Sequence, residues 1–179
     1  MTVTPQEGSG DPVAAAEPAL TGTPAGLTHV DARGQARMVD VSAKPVTARE
    51  ASAAGRVLCS PAVVALLRGE GMPKGDALAV ARIAGLQAAK RTPELVPLAH
   101  PVAVHGVSVE LAVTDEGVDI VATVRTADRT GVEMEALTSV VVAALALVDM
   151  VKAVDKRARI TDVRVIAKSG GRSGDWRAE

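Results

Sequence analysis

GVEMEALTSVVVAALALVDMVKAVDK, residues 131–156, decides how the chain is read. It has the pattern of one long amphipathic helix. At about 100° per residue, Glu135, Thr138, Val142, Asp149, Lys152 and Lys156 fall in one stripe through an otherwise apolar stretch. Ala136 to Val148 must then be largely buried. An Asp and a Lys three residues apart on a half-buried face are costly to desolvate unless they pair or bind something. Two readings stay open: a structural ion pair at the rim of a core, or part of a site. Glu135 and Asp149 share the face, yet fourteen residues at 1.5 Å rise separate them by about 21 Å. One small substrate cannot touch both within one chain. Two such helices meeting antiparallel across a two-fold axis bring Glu135 of one copy toward Asp149 of the other.

Upstream, Val102–Val113 alternates, Thr114 to Gly117 (TDEG) makes a turn, and Val118–Thr126 alternates again, which predicts two paired strands. Downstream, Ile160–Ala167 predicts a last strand, followed by a Gly-rich basic tail, Lys168 to Gly174. Ala48–Leu58 is ambiguous in composition, and its place in the order favours a strand. Ser60-Pro61 signals a helix start for a short helix that stops at Gly69 or Gly71. Asp76 caps a second helix that offers Leu78, Ala81, Ile83, Leu86 and Ala89 for burial and ends at Thr92-Pro93. From residue 48 the order is strand, helix, strand, strand, helix, strand. That is an α+β fold of the ferredoxin-like, split βαβ kind, an antiparallel sheet with helices on one face. Ala36–Ser42 also alternates like a short strand. Residues 1–26, rich in Pro, Gly, Ala and Thr, read as a disordered tail, leaving one domain over 27–179.

The 179 residues include no Phe, no Tyr and a single Trp. The core must therefore be aliphatic, and such a domain gains from burying further surface between subunits. The net charge of −1 gives no reason to expect a nucleic-acid partner or a membrane surface. One cysteine, Cys59, excludes an internal disulfide and a multi-cysteine metal site. His29, His100 and His105 lack metal-ligand spacing, so no metal and no cofactor is expected. The start of the chain lacks the basic and apolar regions of a secretory signal, and the apolar run falls short of the roughly 20 residues of a membrane span. A cytoplasmic protein is expected.

Three further clusters can carry chemistry. Lys74-Gly75-Asp76 sets a lysine beside a helix N-terminus, a natural anion site, unless Lys74 is merely a solvated neighbour of the cap. His100, flanked by Pro97 and Pro101, is rigidly placed and suited to proton transfer near neutrality, or is simply structural. Lys168 to Gly174 (KSGGRSG) can wrap a phosphate through backbone N–H groups or be a flexible tail.

Taken together, several stretches resemble the cyclic pyranopterin monophosphate synthase family, MoaC. They are Leu27-Thr28-His29-Val30, Met38 to Lys44 (MVDVSAK), Lys74-Gly75-Asp76, Ala81 to Gly85 with Gln87 to Thr92, Pro97 to Pro101 (PLAHP), Gly131 to Thr138, Asp149 to Val154 (DMVKAV) and Ala167 to Gly174. Each is weak alone, but the ordered set is specific. The resemblance implies a lyase of molybdenum-cofactor biosynthesis. It converts 3′,8-cyclo-7,8-dihydro-GTP to cyclic pyranopterin monophosphate and releases pyrophosphate, without net redox change. It further implies Asp149 as catalytic acid/base with Lys152 beside it, and catalytic roles for His100 and Lys74. Leu98, Ala99, His100, Met134 and Glu135 line the substrate, and Lys74 and Lys168 face phosphates. A homohexamer, a trimer of dimers with sites at subunit interfaces, is implied too. Ala99 stands where the family often has Cys, so a thiol role there is absent. The alternative is a non-catalytic ferredoxin-like regulatory oligomer that binds a nucleotide, or a plain oligomeric scaffold.

Overall fold

The computed structural model describes residues 29–31, 33–69, 76–172 and 174–179. The chain divides into two units, Met1–Arg37 and Met38–Glu179. In the first, the described residues form a small turn. Val30 and Ala36 bridge, Asp31 Oδ1 accepts from the backbone N–H groups of Arg33 and Gln35, and Arg37 N–H donates to the His29 carbonyl. Residues 1–26, expected as a tail, lie outside the described residues.

The second unit runs β1 (Thr47–Leu58), α1 (Pro61–Leu67), α2 (Ala77–Ala89), α3 (Thr92–Leu95), β2 (Val104–Val113), β3 (Gly117–Asp128), α4 (Glu133–Val151), β4 (Arg159–Ser169) and β5 (Trp176–Arg177). All neighbouring strands are antiparallel, in the order β2-β3-β1-β4-β5. The first four make the split βαβ arrangement expected from the sequence, and β5 adds to the β4 edge. Ala48–Leu58 resolves as strand because it lies in the centre of the sheet, where Ala51, Ala53, Gly55 and Val57 alternate inward at period two.

The turn at 114–117 closes through Thr114 N–H to the Gly117 carbonyl, 2.8 Å. Asp76 accepts from Ala79 N–H at 2.8 Å, the expected cap of α2. Ser60 precedes α1 as expected, but its side chain makes no cap bond. Its N–H instead donates to Asp155 Oδ2 at 2.7 Å, and a bond from Arg157 N–H, aided by this one, holds the Asp155 carboxyl below the usual range.

Four expectations need correction. Ala36–Ser42 forms no strand: beyond the bridge at Ala36 it pairs with no strand, Met38 is half exposed, and a two-residue period without a covered face has nothing to anchor it. The second helix ends at Ala89, and Thr92-Pro93 starts the separate turn α3, because proline suits a first helical turn. Its fully buried stripe is Ala77, Ala81, Gly85, Ala88 and Ala89, and the expected Leu78 and Leu86 pack partly buried against the core, while Ile83 faces outward. Finally, the Gly-rich tail folds back as the β4–β5 hairpin, with Gly170 and Gly171 at φ +82° and +76°, conformations that cost glycine little.

A core without Phe or Tyr is closed by bringing helices together. Ala136, Ser139, Val140, Ala143, Ala144, Leu147 and Val151 form the buried face of α4. Ser139 Oγ donates to the Gly85 carbonyl at 3.0 Å, and a Cβ on Gly85 would sit 3.0 Å from the Ser139 carbonyl oxygen and 3.1 Å from Ala143 Cβ. By length and hydropathy α4 is able to cross a bilayer, but half of it is buried in this fold, as in a core helix. Its other side is apolar and open, with Val141 and Leu145 at 40% and 58% exposure. The expected burial of the whole Ala136–Val148 run therefore holds for one face only, since sheet and α2 cover the helix from one side.

Gly85→Val forces α2 and α4 apart at their closest approach and should cost about 1–3 kcal/mol. Urea unfolding of the variant against wild type checks this.

Candidate functional site

The sheet has two ends, and α4 carries one polar group to each. The start of β1 pairs with the end of β3, Thr47 opposite Asp128, and the end of β4 lies beside them, Glu50 opposite Ser169. The chain enters β2 at this same end, Val104 opposite Thr126, so the Leu98–Pro101 loop is there too. Thr126 Oγ1 donates to the Ala103 carbonyl at 2.6 Å, and Ala103 N–H donates to Asp128 Oδ2 at 3.2 Å. That bond and one from Arg129 N–H lower the Asp128 pKa, the Arg129 bond having the larger effect. Leu98, Ala99, His100, Met134, Glu135 and Lys168 thus gather at the end where α4 begins. Asp149 and Lys152 lie where α4 finishes, about 21 Å along the axis from Glu135 at 1.5 Å per residue. Lys74 lies outside the described residues.

His100 Nε2 is 2.6 Å from the Val39 carbonyl. A carbonyl only accepts, so Nε2 carries the hydrogen and Nδ1 is left as the basic nitrogen of the neutral ring. The Met38–Lys44 segment, without strand structure, therefore still positions the histidine. His105, in β2, is exposed and accepts from Ala127 N–H through Nδ1 at 3.3 Å.

Glu135 and Asp149, placed on one stripe by the sequence, differ in environment. Glu135 is 2% exposed, whereas Met134 beside it is 42% exposed. Desolvation raises the Glu135 pKa to about 7, and the Glu133 charge adds to the rise. Asp149 stands in the open, paired with Lys152 at 2.6 Å, both side chains more than half exposed. The ion-pair reading of this spacing is thus present in the fold. The pair borders an apolar groove of about 470 Å³ formed by Val142, Leu145, Ala146 and Val148. A carboxylate with an ammonium partner at the rim of an apolar surface can exchange protons, provided something covers it.

The sequence reading missed a second feature at the other end. Lys168 Nζ bonds Glu133 Oε1 at 2.9 Å, both side chains about three-quarters buried. Around this pair Lys44, Arg49, Arg129 and Arg172 border a cavity of about 280 Å³. These residues are scattered over 129 positions of sequence, and no local motif joins them. The one available signal was two basic glycine-containing turns, Arg129-Thr130-Gly131 and Gly170-Gly171-Arg172, flanking adjacent strand ends. Among the described residues, no group of three or more His, Cys, Asp or Glu is placed to hold a metal ion.

The sequence model of the MoaC family matches residues 38–171. The chain is 72% identical over 151 residues to a cyclic pyranopterin monophosphate synthase of Streptomyces griseus, covering 84% of this chain and 85% of that protein. It is 66% identical to one of Nocardioides sp., covering 88% and 98%. It is 57% identical to cyclic pyranopterin monophosphate synthase 2 of Mycobacterium tuberculosis, covering 84% and 90%.

The raised Glu135 pKa fixes a pH dependence. Its stabilising neutral form is fully present in both states below about 4.5. The advantage is lost as pH rises through about 7, and it amounts to about 3 kcal/mol at 1.36 kcal/mol per unit. Glu135→Gln stays neutral throughout, so it should gain on wild type between pH 5 and pH 8. Denaturant melts of both proteins at the two pH values read this, and an equal gap at both would contradict a neutral buried Glu135.

Proposed function

The chain belongs to the MoaC family, and from that premise we propose that it performs the reaction its relatives are named for, the synthesis of cyclic pyranopterin monophosphate. It is a lyase of molybdenum-cofactor biosynthesis, and its substrate is 3′,8-cyclo-7,8-dihydro-GTP, from which pyrophosphate departs. The observation that carries this reading is identity of 66–72% to such synthases over more than four-fifths of the chain.

The chemistry needs proton transfers during ring opening and reclosure, then attack by a hydroxyl on the α-phosphate with departure of pyrophosphate. Asp149 is the acid/base. Lys152 pairs with it at 2.6 Å, and the apolar groove beside the pair would shield it from water once a second copy covers it. His100, its Nε2 hydrogen held by Val39, offers Nδ1 for a second transfer. Lys168 and Lys74 face the phosphates and stabilise the charge that develops on the leaving group. Leu98, Ala99, Met134 and Glu135 shape the pocket for the base-derived ring. Met134 supplies contact surface, while the buried Glu135 holds the first turn of α4 in place. Ala99 brings no thiol to that wall.

Asp149 and the His100 cluster stand too far apart in one copy to share a substrate of this size. A second copy docking on the open apolar face of α4, with its α4 antiparallel to the first, would bring the two groups together. The site is then shared between subunits, and the assembly is a homohexamer, a trimer of dimers. The protein works in the cytoplasm on a small molecule, with neither nucleic acid nor membrane as partner, and residues 27–179 are its catalytic domain.

Asp149→Asn keeps the size of the side chain and removes its basicity. Single-turnover conversion of the cyclised GTP, followed by pyrophosphate and pterin product together, should fall by about 10²- to 10⁴-fold in a folded variant. Equal turnover would move the acid/base role to His100 or a lysine. A wild type that holds the nucleotide without converting it would favour the regulatory oligomer.

A further inference from the structure

The His100 ring is aimed by a hydrogen bond from Nε2 to the Val39 carbonyl at 2.6 Å. Such a bond directs a ring only as well as its acceptor is itself held, and Val39 lies in a segment without strand structure. Two neighbouring residues at the end of β3 hold both partners. Arg129 donates from Nε to the Lys44 carbonyl at 3.1 Å, at the far end of the Val39 segment. Asp128 Oδ2 accepts from Ala103 N–H at 3.2 Å, three residues beyond His100.

Both holds reach the bond through short, stiff stretches. Between Val39 and Lys44 the chain closes on itself twice, Ser42 N–H donating to Asp40 Oδ1 at 2.8 Å and Lys44 N–H to the Val41 carbonyl at 3.0 Å. Between His100 and Ala103, the Pro101 ring fixes φ and Val102 packs against the core. Thr126 Oγ1 donates to the Ala103 carbonyl at 2.6 Å, and before the histidine Ala99 N–H donates to the Val96 carbonyl at 3.0 Å.

The Asp128-Arg129 pair is in turn pinned to the sheet. Arg49 of β1 donates from Nε to the Asp128 carbonyl at 3.0 Å and from an Nη to the Arg129 carbonyl at 3.1 Å. Arg129 N–H donates to Asp128 Oδ1 at 2.7 Å. That bond foremost, with the Ala103 bond and the charges of Arg129 and Arg49, keeps the Asp128 carboxyl below the usual range against the opposing effect of burial. Both its oxygens therefore stay acceptors at neutral pH. Arg49 and Arg129 are thus engaged with backbone carbonyls and compensated by a carboxylate.

We propose that Asp128 and Arg129 form a two-sided clamp on His100, positioning residues that fix where its basic Nδ1 points. This role rests on the reading of His100 as a proton-transfer group, while the clamp itself is tested without turnover. Because adjacent residues hold both sides, a shift of the β3–α4 connection moves ring and acceptor together, and the bond survives it. The same connection leads directly into α4, so His100 and the Met134-Glu135 wall are referenced to one short stretch of backbone.

Protein made with isotope-labelled histidine gives ring signals from His29, His100 and His105, and His100→Gln assigns the one of interest. A ring N–H bonded to a carbonyl is protected from exchange with water, so the His100 Nε2 proton should be visible in wild type. Arg129→Ala, at an exposed position, should broaden it beyond detection. It should also slow single-turnover conversion by about tenfold to a hundredfold, the scale of a misplacement of about 1 Å. Arg129→Lys, which keeps a charged donor, should retain most of both. Asp128→Ala should repeat the loss, and the double variant should be no slower than the worse single one, because releasing either side frees the ring. In a His100→Gln background, Arg129→Ala should cost nothing further. A ring proton unchanged in both single variants would overturn the clamp, as would equal slowing by Arg129→Ala with and without His100. Full turnover by His100→Gln would instead remove the histidine from the proposed reaction, and the ring proton alone would then support or sink the clamp.

Discussion

Nineteen residues of unbroken helix set the distance on which the site depends. α4 starts beside Lys168, at the end of the sheet where the His100 loop lies, and finishes at Asp149 and Lys152. A helix cannot shorten, so no rearrangement inside one copy joins the two groups. The same helix is apolar on both sides, and only one side is covered by sheet and α2. The chain thus carries in one element both separated parts of the proposed site and an uncovered apolar face. Docking of a second copy, as proposed, would remove both deficits.

The covered side shows how a core without Phe or Tyr closes. Large rings would hold helices and sheet well apart. Here Ala, Gly, Ser and Val let α2 and α4 approach until backbone meets side chain at Gly85 and Ser139. Gly55 plays the same part on the sheet, where a Cβ would lie 2.6 Å from Val140 Cγ1. Such packing gains dispersion contacts at many short distances and makes the orientation of α4 rigid. Rigidity matters because any tilt of α4 moves both ends of the site in opposite directions.

The fold was largely legible because strand alternation in 102–126 and the helical pattern after 131 are local signals, and a split βαβ order leaves few alternatives. Ala48–Leu58 was not locally legible: a central strand takes its character from two neighbours, not from its own Ala and Arg. Ala36–Ser42 misled for the opposite reason, alternating without a neighbour to pair with. In the site, Asp149 with Lys152, and His100 between prolines, stand out from their surroundings. Glu135 looked equivalent to Asp149 on the helical wheel, yet one is buried and the other open, because a wheel shows direction around an axis and not what covers each turn. Arg49, Arg129 and Arg172 escaped notice because only folding gathers them.

Shared sites are tested most directly by mixing defects. Asp149→Asn and Lys168→Ala, each inactive alone, would be co-expressed with different tags and the mixed oligomers isolated and assayed. If the two residues act on one substrate from different copies, pairing the variants rebuilds one intact site in each mixed dimer. Activity should then return to about a quarter of wild type for random pairing of the two chains. Mixed oligomers as inactive as their parents would mean that both residues serve the same copy's site, and the account of a site divided between the ends of α4 would be wrong.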